Sequence, residues 1–324
     1  MKKLIALILA AMFVFAVASC GNEPAQSTPT ESTPAESTPE ASEPEESTPE
    51  GPEPEESTPE TTNPEESTKE PDPPVIVELP EAYVDFDFRN GTITDAKGHV
   101  TIENRGATVV EATVTAGGKS ASLDALRIDE SGSYVLCTFG EMGTDAAVKE
   151  WAEGGFAVEA FYVMGEKKGV QGIVCGTEQV NSTKLRGGWG LAENAGKPYF
   201  ITATSGNAYI SANTTAESAS SETELVHVVA VYDYAAKKQY LYVNGVCVNS
   251  AGETISGEFA PAGAEAFNKF CLGSDYRETA KVTETTPIDF PTPDMTMVDA
   301  KIYSSVLSAE QVKAAYENAL ALLD

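Results

Sequence analysis

The chain has 324 residues, 41% of them hydrophobic, and a formal net charge of −29. So acidic a chain, with no basic cluster, is excluded as a nucleic-acid binder, and two histidines, His99 and His227, leave little scope for histidine-based catalysis or metal binding. Thirteen of the 19 prolines and 16 of the 50 acids lie between Gly21 and Pro74, which leaves about 250 residues for folding, enough for one sizeable β domain.

Lys2 and Lys3 precede an apolar run, Leu4 to Ala18. The run is short for a membrane-spanning helix and suits the apolar region of a signal peptide. It ends in Val17-Ala18-Ser19-Cys20-Gly21, which resembles the lipobox of bacterial lipoproteins. That resemblance implies that residues 1–19 are a removed signal peptide and that Cys20 is the lipidated N-terminus. The protein would then sit on the cell membrane through its lipid anchor, facing outside the cytoplasm. An ordinary secretory peptide cleaved near Ser19 is the alternative.

Residues 20–75 then form a stalk. Glu-Ser-Thr-Pro recurs at Glu31–Pro34, Glu36–Pro39, Glu46–Pro49 and Glu56–Pro59. With no aromatic residue, such a segment cannot bury enough apolar surface to offset its ordering entropy, and it is expected to be disordered. Proline and like charges extend it, to a reach on the order of 170 Å. The Ser/Thr-Pro pattern also suits O-glycosylation, although a passive spacer is the preferred reading.

The folding domain, residues 76–324, reads as all-β. Val84-Asp85-Phe86-Asp87-Phe88 alternates apolar and acidic, as a half-buried strand does. Further strands are predicted over Ala125–Ile128, Tyr134–Phe139, Phe156–Met164, Gly172–Cys175, Trp189–Leu191, Tyr199–Thr204 and Ala208–Ala212. More follow over Val226–Tyr234, Gln239–Val243, Val246–Val248, Phe270–Leu272 and Thr296–Tyr303. Asn244-Gly245 marks a hairpin whose type I′ turn needs positive φ twice. Ser308-Ala309-Glu310-Gln311 is a capping-box pattern, and Val312, Ala315, Tyr316, Ala319 and Leu323 continue it at helical spacing. Many short strands and one short C-terminal helix predict a two-sheet antiparallel sandwich or jelly roll.

Three stretches are similar to the laminin-G-like, concanavalin A-like jelly-roll domains of bacterial surface proteins. They are Phe156-Ala157-Val158-Glu159-Ala160-Phe161; His227-Val228-Val229-Ala230-Val231-Tyr232-Asp233 running on to Leu241-Tyr242-Val243-Asn244-Gly245; and Asp299-Ala300-Lys301-Ile302-Tyr303 with Val306-Leu307-Ser308-Ala309-Glu310-Gln311. The resemblance implies a concanavalin A-like fold that binds polysaccharide, glycoprotein or surface protein, often with calcium and usually without catalysis. Some relatives are glycoside hydrolases. Retaining hydrolases need two carboxylates about 5 Å apart, and the family's strand of alternating acids is missing: Glu159 is the one acid in its strand, and Asp85 and Asp87 lack a third member. The function expected is a lipid-anchored surface protein presenting a lectin-like module. The alternative is a non-catalytic protein-interaction or assembly subunit of an envelope complex, with a glycoside hydrolase behind it.

Site candidates follow from residue type. Tyr276, at the start of a loop, and Trp151, among Lys149, Glu150 and Glu153 and so expected exposed, are candidates for stacking on sugar rings. Trp189 reads as core. The long acidic stretch from Ser274 to Asp294 supplies hard oxygen ligands, and Asp275, Asp289 and Asp294 are the calcium candidates. His227 reads as a structural strand histidine and His99 as exposed after a turn. Cys137, Cys175, Cys247 and Cys271 show no zinc spacing. Three disulfide pairings are open to them, but apolar strand contexts favour buried thiols.

Overall fold

The computed structural model describes residues 77–129, 132–167, 169–181, 184–204, 208–213, 220–249, 252–260, 268–276, 288–289 and 292–324. The signal segment, Cys20 and the repeats of the stalk lie outside the described residues. In chain order the strands are β1 (Val84–Asp87), β2 (Thr94–Asp95), β3 (Val100–Arg105), β4 (Thr108–Ala116), β5 (Lys119–Ile128), β6 (Tyr134–Phe139), β7 (Phe156–Met164), β8 (Val170–Asn181), β9 (Lys184–Asn194) and β10 (Lys197–Thr204). They continue with β11 (Ala208–Asn213), β12 (Val226–Asp233), β13 (Lys238–Val243), β14 (Val246–Cys247), β15 (Glu253–Thr254), β16 (Lys269–Leu272), β17 (Asp275–Tyr276), β18 (Ile288–Asp289) and β19 (Met295–Tyr303). Helix α1 (Asp145–Glu153) precedes β7, and α2 (Ala309–Ala321) follows β19.

The strands form two sheets. The first runs β14-β13-β12-β7-β19-β1-β2, with β15 on β13 and the β4–β5 hairpin joined to β19 through β5. The second runs β11-β10-β9-β8-β16-β6-β3, with β17 and β18 at its side. Pairing between these strands is antiparallel except for the short β17, which runs parallel to β8.

Period-two alternation sends one face of each strand into the space between the sheets. Val84, Phe86, Phe156, Val158, Tyr232 and Ile302 come from the first sheet, and Cys137, Phe139, Trp189, Leu191, Phe200 and Phe270 from the second. Phe156 is a hub, with ring centroids 5.2 Å from Tyr232, 5.9 Å from Trp189 and 6.1 Å from Phe200. Each such pair contributes about 0.5–1.5 kcal/mol beyond its area. Cys137, Cys175 and Cys271 are buried thiols and Cys247 a half-buried one, and none of the four is in a disulfide among the described residues.

The strand β7 is buried on both faces, which is why it reads as an unbroken apolar run. Its outer face is covered by α2 and the β4–β5 hairpin. Ala157, Val229, Val231, Tyr242 and Tyr303 pack with Val312 of α2, while Phe161 packs with Val114 and Ala116 of β4 and Ala319 of α2. The capping box forms as read: Ser308 Oγ accepts from the Gln311 amide at 3.2 Å, and Gln311 Oε1 accepts from the Ser308 amide at 2.9 Å. Asn244 and Gly245 take φ of 50° and 76° in the β13–β14 turn.

Candidate functional site

The site is built on β19. Along one edge this strand pairs with β7. Its other edge is shared: Met295 to Met297 pair with β5, whereas Lys301 and Ile302 pair with β1. Between these two partners the register against β7 shifts, from Met297 to Asp299. A bulge of this kind bends a strand and increases its local twist. At the same point the other edge passes from β5 to β1, and this fork borders a cleft of about 340 Å³, within the usual range for ligand pockets.

Four carboxylates line the cleft, Asp85 and Asp87 from β1, Asp124 from β5 and Asp299 from β19, together with Arg89 and Lys301. Leu123, Val298 and Leu322 give it an apolar lining. Arg89 is committed to Asp87: its Nε donates to Oδ1 at 2.8 Å and its Nη2 to Oδ2 at 2.6 Å. These hydrogen bonds hold the Asp87 carboxyl below its ordinary value. Asp124 Oδ2 accepts the Asn90 amide at 2.9 Å. Lys301 forms an ion pair with Asp299. Burial, the leading cause, raises the Asp299 carboxyl. Burial alone would lower the Lys301 ammonium, but Asp299 and Glu159 around it leave it raised.

Behind the cleft the outer face carries a charged row across three strands, with Asp85 beside Lys301 and Lys301 beside Glu159. Glu159 is 2% exposed. It accepts from His227 Nε2 at 2.9 Å and from the Tyr303 hydroxyl at 2.6 Å. Burial pushes its carboxyl up, but the His227 hydrogen bond and charge, Lys301 and Tyr303 outweigh it and hold the group at about 2. Burial first, and then Glu159, pushes the Tyr303 phenol well up. A second cavity of about 190 Å³ lies between this network and α2 and shares Asp299, Lys301 and Leu322 with the cleft. Both Glu159 oxygens are occupied, so the arrangement can fix charge and orient Lys301 but offers no free acid or base from Glu159.

The candidates read from sequence fall elsewhere. Trp151 is not the exposed ring expected: α1 lays it against the core, stacked on Phe156 at 4.5 Å, and its Nε1 is buried without a partner. Trp189 is core, 1% exposed. Tyr276 lies in the two-residue β17 rather than in a loop, and its side chain is outside the described residues. Asp275 is buried and bonded inward, accepting the Thr177 amide at 3.1 Å and the Thr177 hydroxyl at 2.6 Å. Asp294 is ion-paired with Arg127 at 2.7 Å. Asp289 pairs through its backbone with Asp275, and its side chain is not among those described. Among the described residues no three His, Cys, Asp or Glu side chains gather as a metal site. His99 is half-buried, not exposed, because its ring stacks on Tyr83 at 4.1 Å. Asp85 and Asp87 were legible as a pair, while Asp124 and Asp299 carry no local signal: they join the site only when β5 and β1 meet β19.

Two packed, mainly antiparallel sheets with a covering C-terminal helix define a lectin-like jelly-roll domain. Residues 140–313 match the family described as the concanavalin A-like lectin/glucanases superfamily, in its laminin G type, and the chain belongs to that family. Among solved structures it is similar to the botulinum neurotoxin serotype D binding domain, at 14% identity over 73% of this chain and 51% of that one, with a TM-score of 0.49. A receptor binding domain matches at 11% identity over 73% and 50%, with a TM-score of 0.50. The binding domain of botulinum neurotoxin DC in complex with SialylT matches at 12% identity over 73% and 51%, with a TM-score of 0.48. The chain thus spans about half the length of these domains, and at such identities the likeness concerns the fold alone. No curated protein matches the chain.

Proposed function

We propose that this is a lipid-anchored cell-surface protein that presents its jelly-roll domain as a lectin-like module for polysaccharide or glycoprotein. The observation that carries the reading is the cleft at the fork of β19. It joins an apolar lining to four carboxylates on strands and to Lys301 and Arg89, a concave site with a few placed polar groups of the kind that holds small ligands. The reading is non-catalytic, because the most deeply buried carboxylate beside the cleft, Glu159, is closed off by His227 and Tyr303. The lipobox and stalk support display of the domain away from the envelope, with a lipidated Cys20 as the anchor.

Two arms test the proposal. A glycan-array screen of the full-length protein, with calcium and again with chelator, should return specific saccharide binding. Loss in chelator would show a calcium requirement, and asparagine variants of Asp275, Asp289 and Asp294 would then test whether these residues hold the ion. Cell fractionation should find the parent in the membrane fraction and Cys20→Ala outside it. A blank array in both conditions would sink the glycan role and turn the search to protein partners by crosslinking.

A further inference from the structure

We propose that the fork cleft selects saccharides bearing a free amino group over neutral, N-acylated or acidic ones. This rests on the glycan-binding reading above and names the ligand class for the same site.

The argument starts from charge balance. The cleft holds four carboxylates against two cations. The charge of Arg89 is matched by Asp87, to which its Nε and Nη2 donate. Lys301 is shared: it is ion-paired with Asp299 and lies in register between Asp85 and Glu159. Asp124 pairs with no cation among the described residues, and its one hydrogen bond there comes from the Asn90 amide. The cleft is therefore short of positive charge, and a ligand that supplies an ammonium completes it. Charged hydrogen bonds of this kind are among the stronger ones.

The balance of donors and acceptors gives the same answer. Carboxylates only accept, and each of the two cations already donates to a carboxylate of the cleft, Arg89 to Asp87 and Lys301 to Asp299. A ligand that donates is favoured: every saccharide brings hydroxyl donors, but an ammonium adds positive charge to its donors, whereas an acidic sugar adds a further acceptor with the wrong charge. Among the described residues no strand pairs with Val298 to Ala300 on the fork side of β19, and that edge offers backbone donors and acceptors to the hydroxyls of a ligand. Leu123, Val298 and Leu322 can take the C–H face of a ring. No open aromatic platform lines the cleft, since Phe86 and Phe88 are 4% and 2% exposed. Recognition then falls on the polar groups, and selectivity on charge. The domain's negative field acts in the same direction, drawing cations in and repelling anions.

The test is calorimetric titration of the full-length protein at about pH 6, where amines are protonated and carboxylates ionised. The probes are the β-1,4 tetramers of glucosamine, N-acetylglucosamine and glucose. The expected result is at least tenfold tighter binding of the glucosamine tetramer, weakened by salt. The double variant D85N/D124N, which keeps side-chain shape and the Asn90 contact, should erase the preference while leaving the thermal midpoint within a few degrees. Arg105→Gln, outside the cleft, should change nothing. Equal binding of all three tetramers would overturn the amine selectivity and leave glycan binding standing, as would a preference that survives D85N/D124N. Failure of every tetramer, together with a blank glycan array, would overturn the glycan reading itself and this inference with it.

Discussion

Removing the Glu159 carboxylate should be among the most damaging single changes in the domain. Glu159→Ala strips His227 and Tyr303 of their acceptor and Lys301 of a neighbouring charge at a position that is almost wholly buried. Breaking a buried pair in this way costs about 3–5 kcal/mol. At about 2–4 °C per kcal/mol for a domain of this size, the thermal midpoint should fall by roughly 6 to 20 °C. Glu159→Gln separates charge from shape. The carboxyl stands at about 2 in the fold against 4.5 when free, a difference equivalent to about 3 kcal/mol. On acidification the unfolded chain takes up this proton first. The contribution is therefore complete above about pH 4.5 and lost as the pH falls towards about 2. Urea unfolding from neutral pH down to about pH 3 is the assay. The parent should lose stability along the acid limb more steeply than Glu159→Gln, and the gap between them should close as Glu159 protonates. Parallel pH profiles for the two proteins, or a Glu159→Ala midpoint within about 2 °C of the parent, would refute the reasoning.

Two further outcomes test the packing. Gly188 has φ of +90°, and a Cβ there would lie 2.1 Å from the Gly176 carbonyl oxygen, so Gly188→Ala should cost about 2–4 kcal/mol by urea midpoint; an unchanged midpoint would contradict the close approach of β8 and β9. In a Cys20→Ala background a thiol reagent should titrate Cys247 in the native protein and reach Cys137, Cys175 and Cys271 only on unfolding, because burial encloses these three and pushes the Cys137 and Cys271 thiols up; fewer than four thiols after unfolding would show a disulfide instead.

Local pattern carried most of the fold. The strands β6 and β7 have the bounds read from sequence, since each is a bounded apolar run. The capping box at Ser308 located α2 because its signal is contained in four residues. The elements missed share a physical cause. Most of β4 is exposed or half-exposed, with burial confined to Val114 and Ala116 near its end, so its text of threonine, alanine and valine has no clean period. The strand β9 was read as Trp189–Leu191 alone, although it runs from Lys184 to Asn194. Its glycines are there for close approach to β8, and glycine hides a strand from propensity. Helix α1 is nine residues long and anchored by Thr144, too short for its period to stand out, and missing it put Trp151 in solvent. The cleft was the least legible part. Two of its carboxylates share β1, but the other two reach it through pairings between segments far apart in the chain, and no local rule encodes those.

The position of β19 has a consequence for the order of events in folding. It follows every other described strand in the chain, yet it is the one to which β7, β1 and β5 all bond. The edge that completes β1 is therefore made after almost everything else. A chain emerging from its N-terminus holds Phe86 and Phe156 ready with no strand between β1 and β7 to join them. Loop-closure entropy across such a separation slows pairing. The first sheet should close late and nearly all at once, when the last strand arrives, and the cleft comes into being in that same step.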